Sequence, residues 1–113
     1  MKIVSNPITL QEIKQMAKSK FGNFVKAVVD IERSLIVLDA ELHADEEALL
    51  IENGSKSHDL WGINLYPDLP FEDFIEYDSM INLKPSENNR SRGVESPEIR
   101  EKITQIVRKF IKL

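Results

Sequence analysis

The sequence predicts an α+β domain: a four-stranded, mostly antiparallel sheet built from two hairpins, with three helices packed mainly on one face, in the order α-β-β-α-β-β-α. Three observations carry that reading. Two stretches alternate apolar and polar residues, as strands with one buried face do. Three others repeat apolar residues at helical spacing. Turn and cap residues stand at the joins between them. The length of 113 residues, 42% apolar and 30% charged, fits one domain over 1–113 that can bury its own core without a metal or disulfide staple.

The first helix is expected over 9–21. Thr9 and Glu12 form a capping-box pattern, Leu10, Ile13, Met16, Ala17 and Phe21 share a face, and Gly22 suits the C-terminal cap. A hairpin follows over 25–42. With Arg33-Ser34 as its turn, Val25, Ala27, Val29 and Ile31 lie opposite Leu42, Ala40, Leu38 and Ile36 on one face. Lys26, Val28, Asp30, Val37, Asp39 and Glu41 then occupy the other face, and a one-residue slip would mix the two sets. Arg33-Ser34 is a poor two-residue turn by composition, so a longer loop stays open. A short helix over 44–53 has acids in its first turn and ends at Asn53-Gly54. Two further strands are expected at 59–66 and 74–84, around the loop Pro67-Asp68-Leu69-Pro70. A polar loop spans 85–95. Ser96 and Pro97 then open a last helix with the stripe Ile99, Ile103, Ile106, Val107 and Phe110.

Composition excludes whole classes of chemistry. There is no cysteine, hence no disulfide, zinc–thiolate site, iron–sulfur cluster or cysteine nucleophile. No run approaches the roughly 18 apolar residues of a membrane span, and nothing at the N-terminus resembles a signal peptide; both point to a cytoplasmic protein. The net charge of −4 opposes non-specific nucleic-acid binding.

The runs Phe21–Asp30, Glu41–Leu50, Asp59–Pro67 and Asp78–Arg100 resemble a family of small bacterial and archaeal proteins known as a domain of unknown function. Asn89-Arg90-Ser91-Arg92-Gly93-Val94-Glu95 is the most specific part of the match. The resemblance covers nearly the whole chain and implies a free-standing single domain; it implies no activity, catalytic residue or cofactor.

Candidate sites therefore rest on the residues themselves. Asn88-Asn89-Arg90-Ser91-Arg92-Gly93 places two guanidinium forks, two amides and a flexible glycine before a helix start, a composition suited to phosphate or carboxylate. Its arginines equally suit the protein's own Glu76 or Asp78. Those two carboxylates share one side of a strand, where they converge with Asp30, Asp39 and Glu41 if the hairpins are neighbours; a solvated or partner-covered sheet face is the plainer reading. Asn64 stands near Trp61, which reads as core. His43, with Glu41, Asp45 and Glu46, offers metal-ligand chemistry at a spacing that matches no known motif, and a helix N-terminus rich in acids explains it as well. No nucleophile–base pair can be read from spacing.

The leading expectation is a non-catalytic binding module that needs no cofactor and uses an open sheet face and the arginine loop to hold an anionic ligand or a protein partner. A metal-dependent hydrolase acting on a phosphate compound, with His43 and carboxylates as ligands, is the alternative. A structural homo-oligomer joined through the sheet is the third reading.

Overall fold

The capping box at Thr9 starts the first helix. Its hydroxyl accepts from the Glu12 N–H at 3.1 Å while the Glu12 carboxylate accepts from the Thr9 N–H at 3.0 Å. The computed structural model describes residues 1–113. Its elements are β1 (Lys2–Ile3), β2 (Ile8–Thr9), α1 (Leu10–Ser19), β3 (Val25–Asp30), β4 (Leu35–Leu38), α2 (His43–Glu52), β5 (Leu60–Leu65), α3 (Phe71–Phe74), β6 (Ile75–Glu76), α4 (Pro97–Phe110) and β7 (Ile111–Lys112). Short 3-10 turns lie at Ser57–Asp59, Met80–Asn82 and Pro85–Glu87. No helix is long and apolar enough to cross a membrane.

The α+β class holds, but the sheet has five strands, in the order β1-β4-β3-β5-β6, with every neighbouring pair antiparallel. A separate parallel pair joins β2 to β7 through Ile8 and Ile111. The two extra short strands at the N-terminus and the one at the C-terminus are too brief to leave an alternating pattern.

The first hairpin keeps the predicted faces in a different register. Val29 lies opposite Ile36 and Ala27 opposite Leu38, two positions from the expected pairing, which preserves each side chain's side of the sheet. The cause is the turn. Asp30 Oδ1 accepts from the N–H groups of Glu32 and Arg33 at 2.9 Å each, building a longer loop in which Ser34 takes a left-handed φ of 56°. Asp39 takes a φ of 73°, and β4 ends there; Leu42 is consequently exposed instead of facing the core.

Helices cover both faces, not one. On the first, Val25, Ala27, Val29, Ile36, Leu38 and Ile63 pack with Ile13 and Ala17 of α1 and Ile103, Val107 and Phe110 of α4. Fully burying side chains of this size stabilises by roughly 1.5–3 kcal/mol each. On the second, Leu50 of α2 packs over Val28, Val37 and Leu60. Asp30, expected on an open face, is enclosed there, and the Ser55 hydroxyl donates to its Oδ2 at 2.6 Å. The predicted face of convergent Asp30, Asp39, Glu41, Glu76 and Asp78 therefore does not form. Asp39 pairs instead with Lys20 at 3.0 Å.

The second hairpin is the largest departure. Of the strand expected over 74–84, only Ile75–Glu76 pairs with β5. Beyond it the chain folds back, because Asn82 takes the place of a strand neighbour. Its Oδ1 accepts from the Gly62 N–H at 2.8 Å, and its Nδ2 donates to the Gly62 and Arg92 carbonyls at 2.9 Å each. Gly62 makes the approach possible, since a Cβ there would stand 2.5 Å from the Cβ and Oγ of Ser79.

Candidate functional site

The register of β3, β5 and β6 sets Lys26 beside Asn64 and Asn64 beside Glu76, one row across three strands. Strand alternation puts this row on the face that α2 covers, next to Val28 and Gly62. The helix stops short of it. His43, the first residue of α2, roofs one end, and a cavity of about 480 Å³ opens beyond. Lys26, His43, Asn64, Glu76, Asp78 and Arg92 all line it, as do the rings of Phe24 and Tyr66.

Most of the polar groups are already held. Asn64 Nδ2 donates to Glu76 Oε1 at 2.8 Å and more weakly to the Asp78 carbonyl at 3.4 Å. Both partners are acceptors, which fixes the amide's orientation and leaves the enclosed Asn64 Oδ1 without a donor. The Tyr66 hydroxyl donates to the same Glu76 oxygen at 3.0 Å. Burial and the carboxylate beside it push the Tyr66 hydroxyl pKa up. Arg92 Nε pairs with Asp78 Oδ1 at 2.7 Å, both side chains about half exposed. Lys26 forms no ion pair; its ammonium lies 5.4 Å from the centre of the Phe21 ring.

His43 Nε2 lies 2.8 Å from the Ile63 carbonyl, so the proton sits on that nitrogen. Burial lowers the imidazole's pKa, against the Ile63 carbonyl, which favours the charged form, and the Lys26 charge nearby adds to the lowering. The ring is thus neutral near pH 7 and neither carries charge nor releases a proton readily.

The predicted site residues divide. Asn64, Glu76, Asp78, Arg92 and His43 come together in the cavity. Arg90 does not: its side chain is exposed, and its backbone N–H donates to Glu95 at 2.8 Å. Asn89 is buried as the organiser of its loop, donating from Nδ2 to the carbonyls of Asn82 and Gly93 at 2.7 and 2.8 Å and accepting the Glu95 N–H at 2.8 Å. Asn88, not Gly93, takes the left-handed turn, at φ 58°. Lys26, Phe24 and Tyr66 are the residues sequence reasoning passed over. The available signal was Lys26 itself, a lysine on the same strand face as Val28 and Asp30.

The alternative metal set is split. Glu41 and Asp45 face a separate hollow with Lys20 and Asp39. Glu46 is fully enclosed, its Oε2 accepting the Ala40 N–H at 3.2 Å. No three His, Asp or Glu side chains meet in a metal-holding cluster.

A family model described as a protein of unknown function (DUF5674) matches residues 2–110. The chain belongs to this family. No curated protein and no solved structure matches the chain. Membership in DUF5674 brings no activity with it, and the chemistry of the cavity is the guide to function.

Proposed function

We propose that the protein is a binding module that seats a small anion-bearing molecule in the cavity between the start of α2 and the β3-β5-β6 row. The observation that carries this is the unpaired ammonium of Lys26 at the wall of a cavity it shares with Arg92. A cation at the wall of a half-open cavity attracts an anion more than one in bulk water does, because the protein on one side screens less than water. Arg92 spends only its Nε on Asp78. Its terminal nitrogens keep their donors for a carboxylate or phosphate. A binding role suits the remaining residues better than catalysis: His43 is held neutral by burial and a carbonyl, and the Tyr66 hydroxyl on Glu76 has its pKa pushed up, the reverse of what activates a nucleophile. The occupant is a small molecule and not a partner at an open sheet face, since α2 packs over that face.

Inorganic phosphate and acetate, titrated against the full chain in a thermal-shift assay, test the reading. Any ligand of the native state raises the melting temperature by mass action. The expected result is a saturable rise that Lys26→Met abolishes and Arg90→Ala leaves in place. A rise equal in wild type and Lys26→Met would remove the cavity from the account.

A further inference from the structure

The cavity has more to offer than a cation. Once its internal hydrogen bonds are assigned, groups of both signs remain unspent. Glu76 uses one carboxylate oxygen, Oε1, for both Asn64 and Tyr66, and Oε2 has no partner. Asp78 gives Oδ1 to Arg92 and keeps Oδ2. On the other side stand the Lys26 ammonium and the terminal nitrogens of Arg92. Formal charge across the four groups sums to zero. A phosphate ester carrying two negative charges would gain from the cations and be repelled by the carboxylates beside them. A molecule that carries an ammonium and a carboxylate together satisfies both sets and leaves neither desolvated charge unpaired.

The third feature is apolar. Phe24 stacks on Phe21 with ring centres 4.7 Å apart, and Tyr66 continues the ladder at 5.5 Å from Phe24. Phe24 and Tyr66 form one wall of the cavity and are only partly buried, so they present ring surface to an occupant. We infer that the ligand is a zwitterion, a free α-amino acid with an apolar side chain: its ammonium on Glu76 and Asp78, its carboxylate on Lys26 and Arg92, its side chain against Phe24 and Tyr66. This inference rests on the proposed binding role and narrows it.

The test uses the full chain, ¹⁵N-labelled, with the standard L-amino acids followed by both thermal shift and amide chemical shifts. L-Phenylalanine is then set against 3-phenylpropionate, which lacks the ammonium, phenethylamine, which lacks the carboxylate, and adenosine monophosphate. The expected result is a saturable shift of resonances at residues 24–26, 64–66 and 76–78 with at least one apolar or aromatic amino acid. If that ligand is L-phenylalanine, each singly charged analogue binds at least about tenfold more weakly, the size of effect one lost charged hydrogen bond gives. Glu76→Gln should weaken the amino acid about tenfold, while acetate, which that carboxylate repels, binds no less tightly than before. The analogues act on the unaltered protein, so the outcome stands even where a variant folds poorly. 3-Phenylpropionate or adenosine monophosphate binding as tightly as any amino acid overturns the zwitterion while the anion-binding role survives; phenethylamine doing so overturns both. If no amino acid and no anion moves those resonances, both fall together.

Discussion

Glu46 shows what a single buried side chain does to the whole stability profile. It is fully enclosed at the first turn of α2, where burial raises its pKa from an ordinary 4.5 to about 9, against the opposing hydrogen bond from Ala40. Below the lower value, folded and unfolded chains both hold the proton. Between the two, the unfolded chain releases it and the folded chain does not, so native stability declines as pH rises and levels off above about 9. Glu46→Gln keeps the shape and the acceptor for the Ala40 N–H and removes the titration. Urea denaturation from pH 5 to 9 should show the variant gaining on the wild type by several kcal/mol across that range. Parallel curves would mean that Glu46 is ionised in the fold. Asn82 is a second such residue. Its side chain satisfies the N–H and the carbonyl of Gly62 and the carbonyl of Arg92. Asn82→Ala leaves buried backbone groups unpaired, at roughly 1–3 kcal/mol for each one that water cannot reach. Urea denaturation should register a loss of at least about 2 kcal/mol.

Among the elements, those with local causes were readable in the sequence. The cap at Thr9 and the Ser96-Pro97 start of α4 each follow from neighbouring residues and stand as expected, and the two sides of β3 keep their expected residues although both are buried. What failed was nonlocal. The period-two pattern of 74–84 resembles a strand, yet the pairing partner it requires at Gly62 is occupied by the amide of a residue within the same segment. Nothing in the spacing of apolar residues announces that an asparagine will reach back across a glycine. The side of the sheet that α2 covers was equally invisible, because helix amphipathicity says which face is buried and not where. The glycine is the testable part. Gly62→Ala brings a Cβ to 2.5 Å from Ser79 and should displace the Ser79–Asn82 turn at a cost of about 1–3 kcal/mol. Ser79→Gly in the same chain should recover much of that loss, with amide exchange at residues 79–82 reporting whether the turn is restored. A Gly62→Ala protein with native exchange there would show that the turn is not braced on β5.

At the scale of the molecule, α1 and α4, with the short α3, pack on one sheet face and α2 on the other, and the cavity lies where α2 stops short of the β3-β5-β6 row. Its contents were partly legible: Asn64, Glu76, Asp78 and Arg92 were candidates by residue type, and alternation put Glu76 and Asp78 together. Lys26 escaped notice because its importance comes from the register of three strands, which no single stretch reveals. The site and the framework also separate energetically. Arg92 and Asp78 make a half-exposed pair at the cavity's mouth. Arg92→Ala should therefore change folding stability by less than about 1 kcal/mol while weakening anion binding. Paired denaturation and titration measurements check it; a large stability loss would make Arg92 a strut for the 76–92 segment and not a ligand-facing group.

The parallel pairing of Ile8 with Ile111 ties β2 to β7 across almost the full span of the described chain, with Ile111 buried in the main core. Contacts so distant in sequence are slow to form, because the intervening chain must be closed into one loop before they return any free energy. The hairpin of β3 and β4 needs only a short loop and can organise early. The two-residue seam of β2 and β7 is then expected to close after the rate-limiting barrier, as a latch. Truncating Ile111 to alanine should accelerate unfolding in stopped-flow experiments and leave the refolding rate nearly unchanged. Such a latch governs how long the protein persists once folded, and not how quickly it gets there.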